Sequence, residues 1–455
     1  LTPSAAVFVA LLLGLSPLFL PLAASFMNDV PGCLGMVVSL YGFVRCLQAR
    51  RWESAGWLVF GVITAVIGGL SRQCVWIVPL SVLPLVAWRR RREWWMVAAS
   101  AAAWLGVLLA AVMLQHWFDR QPYAIPEPSF HSVLACAEKD PLSLVIRFAN
   151  LLLTLMLVLL PAGLTVLWRL RSRRIVGLTA AVLILLIGCL SRRPRLEVAP
   201  WMDNIMEPVG VLGNLQVPGE RPLVLRYPIL PALSIAIFVS TSAMIALGLA
   251  WLAAVNPRQC ANRLLHPDSE QAAILAVLLV AGSYLLTLST RCALNFSYDR
   301  HLLPLIPLGG IVLLRSLRVG SAELPIPRVA WLLLALFGIF AVASTQEDLA
   351  LARARATAAQ RLTDARIPRA QISGGLEYDY WTQLLTTGCI NDSRIKNPPG
   401  AYHPNQGDTP SVHPLFRLEY QPAADSVPSD FGTVNYFSFL PPFQRRICID
   451  RIVAR

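Results

Sequence analysis

Ala55-Gly-Trp-Leu-Val-Phe-Gly-Val-Ile-Thr-Ala-Val-Ile-Gly-Gly-Leu-Ser-Arg-Gln-Cys-Val-Trp-Ile-Val-Pro-Leu-Ser-Val-Leu-Pro-Leu-Val-Ala-Trp-Arg-Arg-Arg-Arg92 decides how the chain is read. An apolar run, 55–70, stops at Ser71-Arg72-Gln73, and a second run, 74–88, stops at four consecutive arginines. A helix needs roughly 20 mostly apolar residues to cross the hydrocarbon core of a bilayer. Working outward, the same unit recurs between residues 5 and 345. Some breaks are packed with arginine, as in Trp168-Arg-Leu-Arg-Ser-Arg-Arg174; others hold one or two polar residues, as in Asn28-Asp29.

The length criterion gives about eleven transmembrane helices, near 5–25, 30–48, 55–70, 74–88, 95–117, 141–166, 175–190, 226–255, 270–290, 301–317 and 329–345. Pro79 and Pro84 predict that 74–88 is kinked or partly re-entrant. With 56% hydrophobic and 14% charged residues, the expected class is an all-α polytopic membrane protein. The net charge of +13 would suggest nucleic acid in a soluble protein. Much of the excess lies at the ends of apolar runs, so membrane lipids are the expected partner and nucleic acid is not. All of the 39 basic residues except Lys139 and Lys396 are arginine, which grips phosphate bidentately better than lysine does.

Placing the arginine-rich breaks 45–53, 89–93, 169–174, 256–268 and 315–328 in the cytoplasm follows the positive-inside rule. The runs then alternate without exception. The other face receives 25–29, 71–73, 118–140, 191–226, 291–300 and everything after 345. The expected location is the cell (inner) membrane, with the tail extracytoplasmic. Arg72, Arg147, Arg192, Arg193, Arg195, Arg226, Arg291 and Arg300 sit on or near the outer face against the rule. Arginine at that depth is costly unless it snorkels to headgroups or finds an anion.

Residues 1–345 therefore read as one transmembrane domain, and 346–455 as a small mixed α/β extracytoplasmic domain. The tail opens with helical periodicity from Gln346 to Leu362, then shows short β-like runs at 433–437 and 446–450. Cys389 and Cys448 are candidates for a disulfide if the tail is extracytoplasmic, while Cys33, Cys46, Cys189 and Cys260 read as packing residues. Leu1 is not an initiator methionine, and the first apolar run lacks the basic region and cleavage site of a signal peptide. The chain is expected to be a piece of a longer protein.

Three polar clusters stand out. Asp29 precedes Pro31, a favourable first-turn residue; either Asn28 or Asp29 caps a helix, or the carboxylate orients an acceptor, holds a metal or acts as a base. Arg72 and Gln73 break an apolar segment on the same face, where a guanidinium and an amide suit a phosphate or sugar hydroxyl. Asn295-Phe-Ser-Tyr298-Asp299-Arg300-His301 precedes a proline-containing run, and its plain reading is a surface Asp299–Arg300 ion pair. His116 and His131 have no metal-site spacing. Motifs for nucleotide or serine hydrolysis do not occur.

Ser25-Phe-Met-Asn-Asp-Val-Pro31, followed by a span, a basic turn, a second span and Ser71-Arg-Gln73, resembles the GT-C superfamily of membrane glycosyltransferases. It is most similar to bacterial relatives of dolichyl-phosphate-mannose–protein mannosyltransferases and aminoarabinose transferases. Tyr298-Asp-Arg-His-Leu-Leu-Pro304 resembles an Asp-Arg-Tyr-Leu-Leu-Pro pattern before a late span, and Ile372-Ser-Gly-Gly-Leu-Glu-Tyr-Asp-Tyr-Trp381 resembles the family's tail. The resemblance implies transfer of a sugar, generally with inversion, from a polyprenyl-phosphate donor to a lipid, glycan or protein acceptor on the extracytoplasmic face. It implies donor binding by Arg72, Gln73, Tyr298, Arg300 and His301, with Asp29 a catalytic candidate. It requires no certain cofactor and leaves a divalent metal open. The family's principal acid lies in an earlier outer loop, so its counterpart is expected upstream of residue 1. The competing expectations are a multispanning transporter and an inactive, truncated scaffold.

Overall fold

The computed structural model describes residues 1–25, 27–120, 135, 138–167, 177–178, 181–182, 206–207, 210–211, 242, 244–246, 268–293, 298–315, 325–387, 409, 411–420, 425–441 and 443–453. Most described residues are helical, with a small sheet near the C-terminus. They fall into two compact units. The first gathers Leu1–Gln115, Val133–Met202 and Ala232–Gly338; the second gathers His116–Ser132, Asp203–Pro231 and Ile339–Arg455. The expected spans 175–190 and 226–255 lie mostly outside the described residues, as do most of the loops 118–140 and 191–226.

In the first unit, α1 (Pro3–Gly14) and α2 (Phe19–Ala24) replace the single span expected at 5–25. Pro17 has no N–H to donate and disfavours a helical Ser16; the Ser16 hydroxyl instead accepts the Leu18 N–H at 3.1 Å. Next come α3 (Asp29–Gln48) and α4 (Arg51–Ser71), both near their expected positions. A 3₁₀ turn, Gln73–Trp76, leads into α5 (Ile77–Arg89), which carries Pro84 inside it, so the predicted irregularity at 74–88 is present. Helix α6 covers Trp94–Phe118.

The run 141–166 is not one straight helix: α7 (Pro141–Val158) and α8 (Leu160–Leu167) meet at 71°. Pro161 explains the bend, since its ring clashes with the carbonyl four residues earlier. Helix α9 covers Ser269–Ala293, and α10 covers only Leu305–Arg315, shorter than the span expected at 301–317. Among the described residues, five helices are long and apolar enough to cross a bilayer, or six if the bent pair counts as one span. The eleven expected from the sequence are not all present among the described residues. Several of the outward faces are apolar: on α6, Leu109 is 62% and Met113 70% exposed.

Helices α3 and α4 pack through small residues. Gly32, Gly35, Ser39, Gly42 and Cys46 form one stripe on α3, at alternating spacings of three and four that keep them on one face. A Cβ on Gly42 would lie 2.9 Å from the Gly61 Cα, so Gly42 cannot carry a side chain without moving the helices. Ser39 donates to the Gly61 carbonyl at 2.8 Å, and Ser54 donates to the Cys46 carbonyl at 2.8 Å. Close backbone approach with hydroxyl cross-links is how helices associate where no hydrophobic force drives them together.

Helix α11, Arg328–Asp364, is a single element of 37 residues that begins in the first unit and ends in the second. The final span expected at 329–345 and the helix expected after Gln346 are thus continuous. Its last turns carry Leu351, Ala354, Ala358 and Leu362, which pack with Ile372, Leu418, Val434, Ile447 and Ile449 into one core. Arg366 ends the helix in the left-handed region at φ 64°, the place usually taken by glycine. Within the second unit, β1 (Met206–Glu207) and β2 (Gly210–Val211) pair antiparallel. Helix α12 (Leu376–Thr387) joins β3 (Ile372–Ser373), β4 (Phe416–Glu419), β5 (Ser426–Phe437) and β6 (Gln444–Ile452) in sequence.

The four-stranded order is β3-β4-β6-β5, with β3 parallel to β4 and the other pairs antiparallel. Register pairs Leu418 with Ile449 and Val434 with Ile447, which puts apolar side chains on the face toward α11. Both β-like runs of the sequence lie in this sheet. Cys448 is a free, buried thiol in β6, and Cys389 lies outside the described residues.

Candidate functional site

Asp29 opens α3 and Arg72 follows the last residue of α4, so an antiparallel pairing of the two helices brings them to the same end. Arg72 Nη2 donates to Asp29 Oδ1 at 2.5 Å. The Asp29 side chain is 5% exposed and that of Arg72 30%. Gly32 makes room for this contact: a Cβ there would come within 2.6 Å of the Arg72 Cβ. Asn28 occupies the N-cap of α3 without a side-chain capping hydrogen bond. The carboxylate of Asp29 therefore serves the ion pair, and the capping reading fails for Asn28.

The third cluster reaches the same place from α9 and α10. Residues 299–302 form a 3₁₀ turn ahead of α10. Arg300 Nη1 lies 3.3 Å from Met27 Sδ, two residues before Asp29. Its guanidinium sits over the Tyr298 ring, 5.0 Å from the centroid, a cation–π contact. The charges of Asp29, Arg72 and Asp299 all act on Arg300. Its Nε is buried and has no hydrogen-bond partner among the described residues. A thioether is a weak acceptor, so Arg300 is a mostly buried cation with donor capacity to spare. Asp299 is fully buried, and the expected surface ion pair does not describe it.

His301 is engaged within the turn itself. It is 6% exposed, and its Nδ1 accepts the Tyr298 N–H at 3.3 Å. The Tyr284 hydroxyl on α9 donates to the His301 carbonyl at 2.8 Å. These bonds hold the turn that presents Arg300, so His301 supports the site from behind. Gln73 also turns elsewhere: its amide donates to Gln115 Oε1 at 2.7 Å at the end of α6. Arg147, one of the arginines that break the charge rule, donates to the Cys292 carbonyl at 3.3 Å and so serves the last turn of α9.

Of the predicted residues, the structure brings together Asp29, Arg72, Tyr298 and Arg300, places His301 behind them and sends Gln73 away. Sequence reading missed Met27, Gly32 and Tyr284. The small-residue stripe beginning at Gly32 carried a signal for the first helix pairing, and through it for the Asp29–Arg72 contact. The arrangement offers two guanidinium groups at one helix-bundle end, one fixed by a buried carboxylate and one resting on an aromatic ring. Such a pair can bind a phosphate or stabilise one as it leaves. Among the described residues, no group of three or more His, Cys, Asp or Glu side chains is suited to a metal ion. Comparison with family models, curated proteins and solved structures gives no match for this chain.

Proposed function

We propose that this chain is an integral-membrane glycosyltransferase of GT-C type that moves a sugar from a polyprenyl-phosphate donor to an acceptor outside the cytoplasm. The observation that carries the reading is Arg300: a mostly buried guanidinium whose Nε has no partner among the described residues, beside the Asp29–Arg72 ion pair. In the proposed reaction the bond between sugar C1 and the phosphate oxygen breaks as a bond from C1 to the acceptor oxygen forms. The lipid phosphate departs with the bonding pair, and cations that match its charge lower that barrier. Arg72 and Arg300 take this role. Asp29 positions Arg72, and the base that receives the acceptor's proton is not assigned to a described residue.

The chain is proposed to cross the inner membrane with this end outside. Supporting the orientation, Arg45, Arg50, Arg89, Arg90, Arg91 and Arg92 lie at the opposite ends of α3, α4 and α5. Further spans beyond the five or six are proposed for the apolar runs at 175–190 and 226–255.

The test is label transfer. Membranes containing the chain are incubated with radiolabelled polyprenyl-phosphate sugars, with and without a metal chelator. Protein-dependent loss of label from the donor, diminished in Arg300→Ala, is the expected result. Uptake of label into sealed vesicles without loss from the donor would replace the enzyme with a transporter.

A further inference from the structure

The opposite end of the same unit holds a cavity of about 580 Å³ lined by Arg50, Arg89, Arg90, Arg91, Arg92 and Glu93. The one lining carboxylate among the described residues, Glu93, is taken by Arg90 at 3.0 Å. Arg90 also donates to the Cys46 carbonyl at 3.3 Å and to the Ala49 carbonyl, tying the end of α3 to the end of α5. The wall is therefore built before any ligand arrives. Arg91 lies over the Trp88 ring at 4.6 Å. Arg50, Arg89 and Arg92 have no ion pair or side-chain hydrogen bond among the described residues.

Ser269, the first residue of α9, also lines the cavity. That helix end is already capped, because the Asp268 carboxylate accepts the Gln271 N–H at 2.7 Å, so the arginines supply the positive lining. Tryptophans mark the depth. Trp88 lines the cavity, Trp52 and Trp94 are 80% and 78% exposed, and Trp52 stacks on Trp95 at 5.3 Å. Exposed tryptophans beside arginines are the composition of the headgroup layer.

We propose that this cavity binds the phosphate of an anionic lipid headgroup, at a site separate from the Arg72–Arg300 pair. Arg50, Arg89 and Arg92 supply the contacts, Arg90 and Glu93 shape the wall, and the tryptophans keep the opening at headgroup level. A basic residue near an anionic lipid surface contributes about 1 kcal/mol, so removing three should weaken binding on the order of a hundredfold.

The experiment uses the purified chain in neutral-detergent micelles with radiolabelled dioleoylphosphatidylglycerol, dioleoylphosphatidylcholine or inorganic pyrophosphate. Saturable binding of the glycerol lipid, much weaker binding of the choline lipid, and loss in Arg50→Gln/Arg89→Gln/Arg92→Gln with unchanged thermal unfolding are expected. Pyrophosphate that binds as tightly as the glycerol lipid and displaces it would make the ligand a soluble phosphate and overturn the lipid assignment. Equal binding of the two lipids, or unchanged binding in the triple variant, would remove the site. If the triple variant does not fold, Arg92→Gln alone and the salt dependence of the wild type decide: no change in either rejects the proposal.

Discussion

Arg300 is the residue on which the proposed chemistry turns, because it is a mostly buried guanidinium whose Nε has no hydrogen-bond partner among the described residues. Asp29 and Arg72 stand 43 positions apart in sequence. Each was legible alone as a polar residue at a break, but their pairing was not, since it depends on the register of two helices. The same limit explains Gln73 and His301, whose partners, Gln115 and Tyr298, are set by packing and by the turn. Asp29→Asn should lower stability, because one charge of a largely buried pair loses its partner. With Arg72 at 30% exposure the loss should be about 2 kcal/mol rather than the larger cost of a fully buried pair. Thermal unfolding in detergent measures it, and an unchanged midpoint would mean that the pair contributes nothing. In the second unit, Asp450 is buried with one carboxylate oxygen unpartnered, and burial raises its pKa above 3.8. The folded state therefore prefers the neutral acid, and this stabilising preference is lost as pH rises through the folded pKa. Asp450→Asn should raise the melting temperature at neutral pH. The gain should vanish below about pH 4, where the carboxyl is protonated folded or unfolded.

At the scale of elements, α3 and α4 show how the sequence sets a helix contact. Gly42→Leu should force the pair apart, because the new side chain would meet the Gly61 backbone and the Phe60 ring; about 1–3 kcal/mol of stability should be lost. Gly56, on the same helix as Gly61, has nothing within 4 Å of an added Cβ. Gly56→Ala should therefore be neutral or stabilising by up to about 1 kcal/mol. Thermal unfolding of the two variants separates a packing glycine from a merely permissive one, and similar losses in both would refute the contact. Hydropathy made α3, α4, α6 and α9 legible to within a few residues. It failed at 5–25 and 141–166 because a run of apolar residues does not report a break. Pro17 and Pro161 did carry that signal, through the missing N–H and the ring clash. Helix α11 was read as two adjoining pieces, a span to 345 and a helix from Gln346 to Leu362, because its residues turn polar at Gln346 while the backbone remains helical.

At the scale of the whole molecule, part of the C-terminal sheet was legible, because the runs at 433–437 and 446–450 lie in β5 and β6 and contribute Val434, Ile447 and Ile449 to one small core with α11. The ion pair under that core was not legible. Arg445 Nη1 and Glu347 Oε1 meet at 2.9 Å, with side chains 2% and 0% exposed, from positions 98 apart in sequence. Removing one partner of a buried pair strands the other charge, so Glu347→Gln should cost about 3–5 kcal/mol and expose the β-sheet core to limited proteolysis. The double change Glu347→Leu/Arg445→Met should recover much of that loss, which circular dichroism melts of the full chain would show. In the first unit, the ends of α3, α4, α9 and α10 place a carboxylate and two arginines together, and the donor-phosphate role assigned to them is the central claim. Equilibrium binding of a radiolabelled polyprenyl phosphate to the purified full chain, with wild type, Arg72→Ala and Arg300→Ala side by side, tests it most directly. The predicted result is roughly tenfold weaker binding or more in each variant, as for loss of a charge-assisted hydrogen bond, with folding retained. Equal affinity in all three folded proteins would contradict it.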